Sequence, residues 1–129
     1  MPKTKKTTRN SKNNGSKQYD KNMNIESYKV KGDGQVPLRF RGELILEYEW
    51  ERAPRPGEKP DYFGVISIFR TAAGKVVLHS CSWNNYGNIP NNAHYEIFVD
   101  MIKLGDYLVE HEPRHASYIC LKLGIVKNI

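Results

Sequence analysis

The fold is decided by the stretch from Leu38 to Glu51, which reads LRFRGELILEYEWE. Apolar residues occupy every second position from Leu38 to Trp50, with Gly42 filling the one gap, and most positions between them are charged. A period of two predicts a β-strand with one buried face and one solvated face. At about 3.3 Å per residue the run spans roughly 46 Å. Because this exceeds the usual strand length, we expect a bulge or bend at Gly42.

Positive charge is concentrated at the N-terminus. Residues 1–35 hold nine Lys or Arg and three acidic residues, which accounts for the whole net charge of +6, whereas residues 36–129 hold eleven of each sign. The first segment is rich in Lys, Asn, Thr and Ser and has few apolar residues, so it cannot bury enough surface to order itself. We therefore expect residues 1–35 to be a disordered basic arm and residues 36–129 to be one small α+β domain.

The domain is predicted to contain an antiparallel sheet of about three strands. Residues 62–70 and 75–83 form the strands of a hairpin whose turn contains Gly74, and apolar residues on both of its faces predict a place in the sheet interior. From Asn92, a residue type that caps helices, apolar residues recur at helical spacing. Pro113 and Gly124 favour a second helix, although the alternation within residues 114–126 also fits a strand. One or two C-terminal helices should therefore pack on the sheet.

The sequence contains no targeting or membrane signal. It lacks the apolar core of a secretory signal peptide and any run of about 18 apolar residues. Two cysteines, Cys81 and Cys120, in a chain without an export signal are typical of reduced thiols. We expect a soluble, intracellular protein that needs no cofactor.

One pattern is typical of an enzyme: His111-Glu112-Pro113-Arg114-His115 matches the zinc-binding sequence H-E-x-x-H. That chemistry needs both His side chains on one helical face, with the Glu activating a water. Pro113 stands between them and breaks a helix, so two His residues flanking a helix–helix turn is the favoured interpretation. A metal-dependent hydrolase stays as an alternative, and no metal ligand or catalytic residue is assigned.

Two further groups have a chemical and a structural interpretation. His79 and Cys81 lie two apart in a strand and could form a nucleophilic pair, although structural roles are favoured. The carboxylates of Glu43, Glu47, Glu49 and Glu51 share the face of the first strand opposite to its apolar residues, and paired carboxylates can hold a divalent metal. Pairing with Arg or Lys across the sheet is the favoured interpretation.

Nucleic-acid binding is the leading functional hypothesis, and a viral or phage assembly or packaging protein falls within it. Cationic side chains of the arm neutralise phosphates, and exposed aromatic side chains stack on bases. If six to nine arm cations contact duplex phosphates, log affinity falls against log salt with a slope of roughly −5 to −8. The candidate residues are Lys3, Lys5, Lys6, Arg9, Lys12, Lys17, Arg39, Arg41, Trp83 and Tyr86.

The competing hypothesis is a protein-binding adaptor or inhibitor without catalytic activity. A long first strand at the sheet edge could recruit a partner by strand addition. DNA versus RNA, the identity of a protein partner, the oligomeric state and the host stay open.

Overall fold

The computed structural model describes residues 24–84 and 92–128. Its elements in chain order are β1 (Glu26–Val30), β2 (Leu38–Arg52), β3 (Tyr62–Thr71), β4 (Val76–Asn84), β5 (Asn92–Phe98), α1 (Met101–His111) and α2 (Pro113–Leu123). All neighbouring strands are antiparallel, in the order β1-β2-β3-β4-β5. The α+β class and the two C-terminal helices are confirmed, but the sheet has five strands rather than about three.

The two additional strands lie where the sequence carries a weak signal. β1 falls inside the segment expected to be the arm, because ESYKV has only Tyr28 and Val30 as apolar residues. β5 occupies the segment expected to begin the first helix, where Tyr95 and Phe98 are three apart and mimic helical spacing. The helix itself begins at Met101, and Asp100 caps it by accepting a hydrogen bond from the N–H of Lys103.

The long strand is confirmed, but its irregularity lies at Ile45 and not at Gly42. Leu44 is opposite Phe69 and Leu46 is opposite Ile68, so Ile45 is an extra residue in β2. Gly42 is instead a place of close approach, since a Cβ there would lie 2.4 Å from the carbonyl oxygen of Arg70. After a bulge of one residue, the side chains of the following residues lie on the opposite face of the sheet from the one that the earlier alternation predicts.

Because of this bulge, the apolar residues of β2 are divided between the two faces of the sheet. Leu46, Tyr48 and Trp50 pack with the core beneath the helices, together with Ile66, Ile68, Leu78, Leu104, Leu108 and Ile119. Leu38 and Phe40 pack on the opposite face with Tyr28, Val30, Phe69, Val77 and Tyr95. The expectation of one apolar face along the whole strand is therefore wrong.

The second face is covered in part by the connection between β1 and β2. The Gln35 side-chain amide donates to the Tyr95 carbonyl at 3.0 Å and its oxygen accepts from the Tyr95 N–H at 2.9 Å. The Asp33 N–H donates to the Ala93 carbonyl at 2.7 Å. These contacts pair residues 31–37 with the free edge of β5, so the sheet curls and one of its exposed edges is protected.

The two helices meet at Glu112, whose φ of −133° and ψ of 52° interrupt the helical path. Pro113 is the first residue of α2, where its missing N–H costs nothing. Gly124 ends α2 in the left-handed conformation, with φ of 68°. The segment that could have been a strand or a helix is thus a helix.

Candidate nucleic-acid interface

Four cations lie together on the half of the sheet that precedes the bulge: Lys29, Arg39, Arg41 and Arg70, hereafter the basic strip. Their sequence neighbours Tyr28, Val30, Leu38, Phe40 and Phe69 all pack in the cluster on the curled inner face. Since successive side chains alternate across a strand, the four cations point to the outer face. All four are exposed.

The basic strip is electrostatically unfavourable in isolation. Lys29 is directly opposite Arg39 in the register of β1 and β2. Among residues 24–84 and 92–128, no member of the strip forms an ion pair. Like charges directly opposite on one sheet face are destabilising, by as much as about 1 kcal/mol. An anion bound across the strip would remove this cost.

The N-terminal segment joins the sheet close to the basic strip. Residues 1–23, which contain seven Lys or Arg and one Asp, lie outside the described residues, whereas residues 24–129 hold thirteen residues of each sign. The six predicted arm contacts (Lys3, Lys5, Lys6, Arg9, Lys12 and Lys17) therefore have no described position. Their chain enters β1 at Glu26, which is opposite Gly42 and next to the Ser27–Arg41 pair.

Trp83 does not share a surface with Arg39 and Arg41. It is opposite Phe63 on the inner face, and roughly nine residues, or about 30 Å, separate that row from Arg41. The nearest charges are carboxylates, because Glu49 and Glu51 line the same open trough of about 550 Å³. Such surroundings repel phosphate. Tyr86, the other aromatic candidate, lies outside the described residues.

Glu47, Glu49 and Glu51 form a row on the inner face after the bulge. Their cross-strand neighbours are Ser67, Val65 and Phe63, so the expected pairing with Arg or Lys across the sheet is wrong for these three residues. None of the three carboxylates has an ion pair in the described part of the chain. Glu43, which precedes the bulge, is instead opposite Arg70 on the outer face.

The residues of the H-E-x-x-H pattern do not share a helix. α1 ends at His111 and α2 begins at Pro113, so the two imidazoles belong to different helices. His115 is buried, and the Tyr48 hydroxyl bonds its Nδ1 at 3.0 Å. Burial lowers the pKa of His115, and the nearby Arg114 lowers it further. Burial also raises the pKa of Glu112. The geometry is that of a helix–helix turn and not of a zinc site.

His79 and Cys81 are close, but the pair does not activate the thiol. The His79 Nε2 lies 3.1 Å from the Lys31 carbonyl, and because a carbonyl only accepts, this nitrogen carries the proton. The Cys81 Sγ is 3.6 Å from the same nitrogen, which therefore cannot take the thiol proton. Burial and the charge of Asp33 raise the pKa of Cys81. A raised thiol pKa disfavours the reactive thiolate.

Within the described ranges, no group of three or more His, Cys, Asp or Glu side chains is placed to hold a metal ion. In the same ranges, no helix has the length and apolar content needed to cross a membrane. Comparisons with protein-family models, curated proteins and solved structures gave no match. Function must therefore be inferred from the chain's own surfaces.

Two members of the basic strip were absent from the sequence-based candidates. Lys29 falls within the segment expected to be the arm, because β1 carries only a weak strand pattern. Arg70 is adjacent to the turn between β3 and β4, and its position opposite Glu43 and diagonal to Arg41 follows only from the register of β2 with β3. The alternation of Phe69 and Arg70 was the available signal, but it could not show which cations would be its neighbours.

Proposed function

We propose that the protein binds the phosphate backbone of a nucleic acid through the basic strip together with the Lys-rich N-terminal segment. The observation that carries the proposal is the unpaired arrangement of Lys29 opposite Arg39, with Arg41 and Arg70 on the same face. Four exposed cations on one face, of which only Arg70 has an acidic residue (Glu43) opposite to it, form an electrostatic footprint that suits a polyanion.

The distribution of charge supports contact with the backbone and not with base edges. Phosphate contacts come from Lys and Arg and carry no sequence information, whereas base reading needs side chains that enter a groove. The basic strip lies on the outer face of a curled sheet, beside helices that cover the rest of this face. Binding should therefore show little sequence preference and a strong dependence on salt.

The test is the affinity of the full chain for a 20-base-pair duplex, measured by filter binding over a range of salt concentrations. Each phosphate contact that is lost reduces the magnitude of the slope of log affinity against log salt by about 0.9. The double substitution Arg39→Gln and Arg41→Gln should therefore reduce it by about 1.8 and weaken binding at low salt.

A matched control removes the same charge elsewhere. Lys59→Gln with Arg114→Gln neutralises two exposed cations, in the loop before β3 and in α2, and should leave the slope within experimental error of that of the wild type. If the two double variants lose affinity equally, net charge rather than the basic strip governs binding, and the proposal fails. A single-stranded RNA of the same length, titrated in parallel, distinguishes RNA from DNA as the preferred ligand.

A further inference from the structure

The half of β2 that follows the bulge has an open edge. β1 pairs with β2 only at residues 38–42, whereas β3 pairs with β2 as far as Arg52 on the other side. Continued in the same register, Ile25 and Asn24 reach only the level of Leu44. In the described part of the chain, residues 45–52 therefore have no strand partner on the side away from β3. An exposed edge of about eight residues is a template for an added strand.

A row of carboxylates follows the inner side of this edge. Glu47, Glu49 and Glu51, hereafter the acidic row, are exposed and occupy every second position of β2. Among residues 24–84 and 92–128 none of them forms an ion pair. Side chains of an added strand that point to the inner face have the same spacing of two residues. Cationic residues at alternate positions of that strand would therefore lie opposite the acidic row.

The trough beside Glu51 suits the long side chain of a lysine or arginine. Glu51, Phe63 and Trp83 form one row across three strands, with a carboxylate next to two aromatic residues. The apolar stem of a long cationic side chain packs on aromatic surface while its charged end stays at the carboxylate. A cation near an aromatic face gains further electrostatic attraction. The open trough of about 550 Å³ has room for such a side chain.

The other side of the same edge is apolar. Tyr48 and Trp50 lie on the face beneath the helices, where they pack against the core. Tyr118 of α2 packs on Tyr48 with ring centroids 5.0 Å apart, and 46% of Tyr118 stays exposed. The residues of an added strand that point to this face would meet aromatic rings. Apolar residues suit these positions, so the complementary strand alternates between basic and apolar residues.

The charge of the edge disfavours two other occupants. If the edges of two copies paired antiparallel in one continuous sheet, the acidic row of one copy would lie against that of the other. Like charges opposite each other across strands are destabilising. A nucleic acid is disfavoured for the same reason, because the carboxylates repel its phosphates.

We propose that residues 45–52 bind an extended segment of a partner protein in which basic residues alternate with apolar ones. The basic side chains face the acidic row, and the apolar side chains face Tyr48 and Tyr118. Main-chain hydrogen bonds to β2 supply affinity, and the alternation supplies specificity. This site goes beyond the proposed function, because it takes a cationic peptide and lies on a different half of β2 from the basic strip.

The test is the affinity of the full chain for a fluorescently labelled peptide of about eight residues in which Lys and Val alternate, measured by anisotropy. A peptide of the same composition with its lysines in one block should bind about tenfold more weakly, because its cations no longer match the spacing of the acidic row. Two further peptides keep the alternation and carry backbone N-methyl groups, either on every Lys or on every Val.

The N-methylated peptides distinguish strand addition from attraction between charges. Successive N–H groups of a strand point to opposite edges, so only one of the two peptides loses its donors towards β2. That peptide should bind at least about tenfold more weakly than the unmodified one, whereas the other should keep its affinity. Both retain the full positive charge, and neither changes the protein.

A matched pair of protein variants tests the acidic row. Glu47→Gln with Glu51→Gln should weaken binding of the alternating peptide about fivefold. The control, Glu58→Gln with Glu110→Gln, removes two exposed carboxylates in the loop before β3 and in α1, and should leave the affinity unchanged.

The inference is overturned if the alternating peptide does not bind, or if it binds no better than the block peptide. Equal affinity of the two N-methylated peptides, or an equal loss in the two protein variants, would also overturn it. A free protein that is a dimer and that the alternating peptide dissociates would identify a second copy as the occupant, with the same consequence. Duplex binding is measured separately with variants of the basic strip, so failure here is distinguishable from failure of the proposed function.

Discussion

Replacing Gly64 by alanine should destabilise the fold through Trp50. A Cβ at Gly64 would lie 2.2 Å from two carbons of the Trp50 ring and 2.4 Å from its Nε1. Carbon atoms in contact prefer about 3.5–4.0 Å, so the indole must move by more than about 1 Å. Such overpacking costs about 1–3 kcal/mol. The ring has little freedom to move, because it stacks on His115 with centroids 5.1 Å apart and packs against Tyr62 at 5.9 Å.

The assay is urea denaturation of four proteins: wild type, Gly64→Ala, Trp50→Leu and the double variant. With a smaller side chain at position 50, the new methyl group has space, so Gly64→Ala should cost little, and the lower flexibility of alanine in the unfolded chain offsets part of that cost. The cycle should therefore show a coupling free energy of about 1–3 kcal/mol between the two positions. If Gly64→Ala costs the same in both backgrounds, the ring does not occupy the space above Gly64 and the packing described for this end of the sheet is refuted.

Two further predictions concern pH and charge. Burial lowers the pKa of His115 in the folded protein, so protonation favours the unfolded state. The stabilisation that is present above the unfolded pKa of about 6.5 is therefore lost as the pH falls below that value. In urea unfolding, His115→Phe should lose less stability than the wild type between about pH 7.5 and 5, and an unchanged pH profile would contradict this. Arg39→Gln removes the repulsion from Lys29 and should raise the free energy of unfolding by about 0.2–1 kcal/mol. The same substitution should weaken DNA binding. A fall in the free energy of unfolding would show that the Lys29–Arg39 pair is not repulsive.

The fold class could be inferred from the sequence because the central elements carry strong local patterns. The alternation in β2, the hairpin of β3 and β4 with Gly74 at φ of 90°, and the Pro113 and Gly124 boundaries of α2 all follow from local rules. The edge strands could not be inferred in the same way. β1 is five residues long, and β5 is stabilised by contacts with Gln35 and Asp33, about 60 positions away in sequence.

The bulge at Ile45 determines on which face of the sheet the later side chains of β2 lie, and the sequence did not predict this. Apolar residues occupy every second position from Leu44 to Trp50, and the one local sign of the exchange is that Ile45 is apolar where the other intervening positions are charged. The pairing of β2 with β3 determines the position of the bulge, because Ile68 packs in the core under the helices and Phe69 in the cluster on the inner face. This exchange places Arg39 and Arg41 on the outer face and Glu47, Glu49 and Glu51 on the inner face.

The net charge of the folded part likewise concealed an uneven distribution. Residues 24–129 have equal numbers of acidic and basic residues, yet the cations of the basic strip and the acidic row lie on opposite halves and opposite faces of β2. A composition analysis describes this region as neutral, whereas an approaching polyanion meets two distinct surfaces. The sequence could have indicated the separation along the chain but not the separation between faces.

If the basic strip contacts phosphates, Arg39 and Arg41 contribute to the salt dependence of duplex binding. Arg39→Gln with Arg41→Gln should then reduce the magnitude of the slope of log affinity against log salt by about 1.8, whereas Lys59→Gln with Arg114→Gln should leave it unchanged. An identical slope in the wild type and the strip variant would show that the basic strip does not contact phosphates.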